Sequence, residues 1–112
     1  MEIAVMQARV LAEAPPRVWI AVSGTLAAPA RHRLHQTLRA CADQGFSELF
    51  LDLRRLRYAD VHEARRGLTM FALGSGVRCH PVGAPAEFRD HLADDPRITL
   101  HSALESAWRD WE

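Results

Sequence analysis

The sequence predicts an α/β domain on a mixed, largely parallel sheet of four to five strands, and three observations predict it. Short apolar runs alternate with segments of helical period along the chain, the pattern of strands joined by crossover helices. One run, Leu49-Phe50-Leu51-Asp52-Leu53, is apolar in near succession, as a strand covered on both faces must be. Glycine and proline fall between these segments, at Pro15-Pro16, Gly24, Gly45, Gly74, Gly76 and Gly83, where the backbone has to turn.

In chain order, an edge strand lies within Glu2 to Ala12, around Ile3, Val5, Val10 and Leu11, and Pro15-Pro16 turns the chain after it. Arg17 to Ser23 is rich in β-branched and aromatic residues and forms a second strand ending at Gly24. From Ala28 to Gln44 the residues Ala30, Leu34, Leu38 and Cys41 make one apolar stripe of a helix, with Pro29 tolerated in its first turn. Leu49 to Leu53 is the central strand. A helix opens at Asp60, with Ala64, Leu68, Phe71 and Ala72 on one face.

Val77 to Val82 reads as a fourth strand, followed by a brief helix holding Phe88 and Leu92 that Asp94-Asp95-Pro96 breaks. Ile98 to Leu100 is a fifth strand. Ser102 caps a last helix in which Ala103, Leu104, Ala107, Trp108 and Trp111 share a face; Trp111, next to the C-terminus, could instead serve a partner or a homodimer. The predicted order is β-β-α-β-α-β-α-β-α, with about four helices. At 112 residues without repeats or low-complexity tracts, the chain reads as one domain over residues 1–112.

Composition narrows the function. The longest apolar run, Val18 to Val22, is far short of a membrane span, and the N-terminus lacks the regions of a signal peptide, so a cytoplasmic protein with no direct membrane insertion is expected. Cys41 and Cys79 fall in core-facing segments and are expected as reduced, buried thiols. Formal net charge is zero, which argues against a nucleic-acid partner. That zero hides an asymmetry: from Arg54 to Ala86 six arginines face two acids, whereas from Glu87 onward three arginines face seven.

Catalytic and metal chemistry find little footing in these patterns. His32 and His35 lie three apart on a predicted helix, but no Cys, Asp or Glu within a turn completes a metal site. His62 stands beside Asp60 and Glu63, yet no Ser or Thr nucleophile occurs between Ser47 and Thr69. No glycine-rich phosphate loop follows a strand. A non-enzymatic protein without cofactor or metal is the expectation. Asp60 reads first as a helix cap, with Glu63 completing a capping-box-like pair.

Several phrases, in order and spacing, resemble the STAS domain of bacterial anti-sigma-factor antagonists. Val18 to Leu26, VWIAVSGTL, is similar to that family's second strand and Gly-x-Leu turn, and LFLDL to its central strand. Tyr58-Ala59-Asp60 resembles the approach to its signature loop, and Val82-Gly83-Ala84-Pro85 the exit of its fourth strand. The resemblance implies an interaction module whose partner is an anti-sigma factor of the serine-kinase type. The rival reading, also drawn from the resemblance, is an accessory subunit of a transport complex, bound to a transporter ATPase.

In regulated members the loop carries Asp-Ser-Ser-Gly or Asp-Ser-Thr-Gly and a kinase phosphorylates the second hydroxyl residue. Here those places read Asp60, Val61, His62, Glu63, so His62 occupies the phosphoacceptor position and the hydroxyl is missing. The acid that commonly follows the Gly-x-Leu turn is Ala27. The partner-binding surface expected from the resemblance comprises Gly24, Thr25, Asp60, Val61, His62, Glu63, Arg65 and Arg66.

Overall fold

The computed structural model describes residues 6–26, 28–58, 76–86, 89, 92 and 96–112. Four strands, β1 (Gln7–Ala14), β2 (Arg17–Thr25), β3 (Glu48–Arg57) and β4 (Arg78–Val82), lie in the order β1-β2-β3-β4. β1 runs antiparallel to β2, while β2, β3 and β4 are mutually parallel. Helix α1 (Ala28–Asp43) connects β2 to β3, and helix α2 (Leu104–Trp111) closes the chain.

Period-two alternation assigns each strand residue to a face. Val18, Ile20, Val22, Leu49, Leu51 and Leu53 point to one side, where Leu34, Leu38 and Cys41 of α1 cover them. Trp19, Phe50 and Val82 point to the other, where Ala107, Leu104 and Trp111 of α2 cover them. The sheet is thus a middle layer between helices, which is why the central strand lacks polar alternation. Cys41 and Cys79 are buried free thiols, and burial pushes the Cys41 thiol up, with Glu13 adding to the effect.

The strand limits differ from the sequence reading for local reasons. β3 continues past Leu53 to Arg57 because its register against β2 slips between Ala21↔Asp52 and Ser23↔Arg55, an extra residue on β3. Leu53 and Leu56 can then both reach the core, with Arg54 and Arg55 exposed between them. β2 likewise runs through Gly24, whose φ of 87° keeps it paired with Leu56 instead of ending the strand.

The expected fifth strand is reduced to two bridges, Cys79↔Ile98 and Val82↔His101. Four backbone hydrogen bonds still tie it to β4: Cys79 N–H to Arg97 O, Thr99 N–H to Cys79 O, His101 N–H to Pro81 O and Gly83 N–H to His101 O. In that alternation the missing donor belongs to residue 81, a proline without an N–H, so the ladder parts in the middle.

Two expectations for the last helix are corrected. Its N-cap is Ala103, which makes no side-chain capping bond, not Ser102. His101 is still bonded to β4, so Ser102 and Ala103 are spent on the turn from sheet to helix. Trp108 is 52% exposed although Trp19 meets it edge-on; the buried meridian of α2 runs through Ala107 and Trp111, and residue 108 is rotated off it. The helices expected from Asp60 and around Phe88 fall wholly or largely outside the described residues, as do Ile3, Val5 and the side chain of Ala30. Of that second segment, Leu92 is helical and buried. Two helices are delineated among the described residues, against about four expected.

Candidate functional site

Parallel strands end on one side of a sheet, and connections from those ends gather there. β2 and β3 finish together, Gly24 beside Leu56 and Thr25 beside Arg57, and Leu26 N–H donates to Arg57 O at 2.8 Å. Leu26 then buries itself in the core, which leaves Gly24 and Thr25 part-exposed at the rim. Exposed Arg55 and Arg57 stand beside them. Of the expected docking residues, the structure places Gly24 and Thr25 at this edge; Asp60, Val61, His62, Glu63, Arg65 and Arg66 lie outside the described residues.

Arg54 stands two residues beyond Asp52, on the same face of β3. Its guanidinium forks onto Asp52, Nε to Oδ1 at 2.9 Å and Nη2 to Oδ2 at 2.8 Å, while its backbone N–H also donates to Oδ1. The hydrogen-bonding guanidinium holds the Asp52 carboxyl below the usual range against the opposing effect of burial. Arg54 is therefore occupied, and the exposed cations this strand presents at the edge are Arg55 and Arg57.

A second cluster, on the α2 face, was not anticipated from sequence. Trp19, Phe50 and His80 are register partners on three adjacent strands. Their rings stack, Trp19 on Phe50 at 5.4 Å and Phe50 on His80 at 4.1 Å with planes 4° apart. His80 and His101, both buried, then face each other, Nδ1 to Nε2 at 3.1 Å. His80 Nε2 meets Glu48 Oε1 at 3.3 Å, and His101 Nδ1 meets Ser106 Oγ at 2.9 Å. Asp110 Oδ2 lies 3.6 Å from His101 Nε2 and 3.9 Å from His80 Nδ1.

A carboxylate can only accept, so His80 Nε2 carries the proton and Nδ1 is bare. Burial lowers the pKa of both imidazoles; the neighbouring His80 lowers that of His101 further, while the Glu48 hydrogen bond pulls His80 the other way. Both rings are thus favoured in the neutral form. The available signal in the sequence was a histidine inside an apolar strand and another just after Ile98-Thr99-Leu100, but only the register shows that residues 80 and 101 meet.

With this sheet order, α1 on one face and α2 on the other, the fold is STAS-like. Three solved structures carry the comparison. The anti-sigma factor antagonist SpoIIAA in its unphosphorylated form superposes with a TM-score of 0.63 at 16% identity, over 94% of this chain and 96% of that one. The Bacillus cell fate determinant SpoIIAA in the phosphorylated form gives 0.63 at 15% identity, over 95% and 100%. An anti-sigma factor antagonist from Mycobacterium paratuberculosis gives 0.65 at 21% identity, over 94% and 92%. At these identities the likeness is one of fold. No family model matches the sequence, and no curated protein matches it. Among the described residues no helix is long and apolar enough to cross a membrane.

Proposed function

We propose that this protein is a non-enzymatic interaction module of the anti-sigma-factor-antagonist kind, acting in the cytoplasm on a serine-kinase-type anti-sigma factor without phosphorylation control. The observation that carries this reading is the rim where β2 and β3 end: Gly24 and Thr25 flanked by exposed Arg55 and Arg57. In a STAS-like fold this rim leads directly into the segment that reads Asp60-Val61-His62-Glu63, with Arg65 and Arg66 following. Arginine suits such a surface because its planar fork grips carboxylates. Phosphoserine in such a loop would place close to two negative charges at the contact. Val61 and His62 cannot accept phosphate from a serine kinase, so the partner's kinase activity has no substrate there.

The test is binding to a candidate anti-sigma kinase with and without ATP, followed by intact-mass and peptide mapping. Wild-type binding is expected to be equal under both conditions, with no phosphate between Tyr58 and Thr69. His62→Ser restores a hydroxyl and should make binding ATP-sensitive. Stoichiometric phosphate on the wild-type segment overturns the absence of control; recovery of a transport ATPase in place of the kinase overturns the partner.

A further inference from the structure

We propose that the chain binds one divalent transition-metal ion of the zinc class through His80 Nδ1, His101 Nε2 and a carboxylate oxygen of Asp110. The three atoms form a triangle with edges of 3.1, 3.6 and 3.9 Å. A point roughly 2.1 Å from all three lies at its centre, which matches zinc–nitrogen and zinc–oxygen bond lengths. Three protein ligands with an open fourth position is how zinc is held where it remains accessible to solvent. Asp110, 49% exposed, supplies the open side, whereas both histidines are buried.

The surroundings prepare His80 as a ligand in the way the partners of metal-bound histidines do. His80 donates Nε2–H to Glu48, an arrangement that fixes its tautomer and makes Nδ1 a better donor to an ion. Arg17 faces the other Glu48 oxygen at 3.7 Å. Phe50 lies flat against the His80 ring and restricts its rotation. On α2, Ser106 and Asp110 are four residues apart and so project together, one to each side of the His101 edge.

His80 and His101 meet edge to edge, ring centroids 5.3 Å apart, with one proton held between their facing nitrogens. Because His80 Nδ1 is bare, that proton sits on His101 Nε2, and the Ser106 hydroxyl donates to His101 Nδ1. Ion binding requires that His101 change tautomer, its proton moving to Nδ1 where the rotated Ser106 hydroxyl accepts it, and that both rings turn by roughly 40°, so that nitrogens now aimed at each other converge on an ion about 2.1 Å from each. No proton is lost overall. The neutral state that burial favours in both rings is the ligating state. Two nitrogens and one oxygen select zinc, cobalt or nickel over magnesium and calcium, which take oxygen ligands.

The experiment is calorimetric titration of the chelator-stripped full chain with zinc chloride, paired with the visible absorption of its cobalt(II) form. One ion per chain is expected, with a tetrahedral-type cobalt spectrum and no response to magnesium. Asp110→Asn, a change at an exposed position that leaves the core intact, should weaken zinc binding at least tenfold, and His101→Gln should weaken it further. Absence of binding at about 1 mM zinc, near the limit of meaningful affinity, overturns the proposal. Equal affinity in Asp110→Asn also overturns it, because the ion then sits on other residues such as His32 and His35.

Discussion

Gly83 closes β4 with a φ of 67°, and a Cβ built there would lie 2.5 Å from Cγ of Arg54. That atom is the root of the side chain that forks onto Asp52, so it cannot retreat without loosening both guanidinium bonds. Gly83→Ala therefore combines left-handed strain with a steric clash and should cost about 1 to 3 kcal/mol in chemical unfolding. A loss below about 0.5 kcal/mol would show that Arg54 is not anchored as described.

Asp52 gives the same pair a pH signature. Its folded pKa lies below the unfolded value, so the folded state binds fewer protons and the pair's stabilisation is present above the unfolded pKa, about 3.9. It disappears as pH falls through the folded value. Asp52→Asn should lower stability at neutral pH and flatten the acid limb of the stability–pH curve below about pH 4. Identical acid limbs in the two proteins would remove Asp52 from the account.

Among the elements, the segment from Arg97 to His101 shows how one residue type limits a strand. Its sequence is strand-like and its neighbour β4 is parallel to it, yet Pro81 withholds one ladder donor and two bridges result. Pro81→Val supplies the N–H, and its amide should become protected from hydrogen exchange to the level of Cys79 and Gly83. Exchange at the rate of an open amide would mean that the segment does not approach β4 at residue 81. The sheet and the α1 stripe were legible in the sequence because apolar spacing there coincides with burial at Leu34, Leu38, Leu49, Leu51 and Leu53. The ends of β2 and β3 were not, since a bulge that carries Leu56 into the core leaves no mark in apolar periodicity. The histidine cluster was hidden for a related reason: it joins residues 21 apart through register and the rotation of α2, neither of which is a local property of the chain.

At the scale of the whole molecule the formal charge of zero is misleading, because charge is segregated along the chain: six arginines against two acids from Arg54 to Ala86, three against seven beyond. Asp52 neutralises Arg54, while Arg55 and Arg57 stay exposed at the rim beside Gly24 and Thr25. A positive rim on a neutral protein attracts an acidic partner during diffusion and orients it, so its effect falls mainly on the association rate. Arg55→Glu with Arg57→Glu shifts the charge of that rim by four units without touching a buried side chain, so the fold should be unchanged. Association with an acidic partner should slow at least tenfold at low ionic strength, with a smaller change in the dissociation rate. The gap should narrow at about 0.5 M salt, where screening cuts the reach of the rim to a few ångström. Rapid-mixing kinetics at two salt concentrations measure both rates. An unchanged association rate at low salt would exclude this edge of the sheet from the encounter surface.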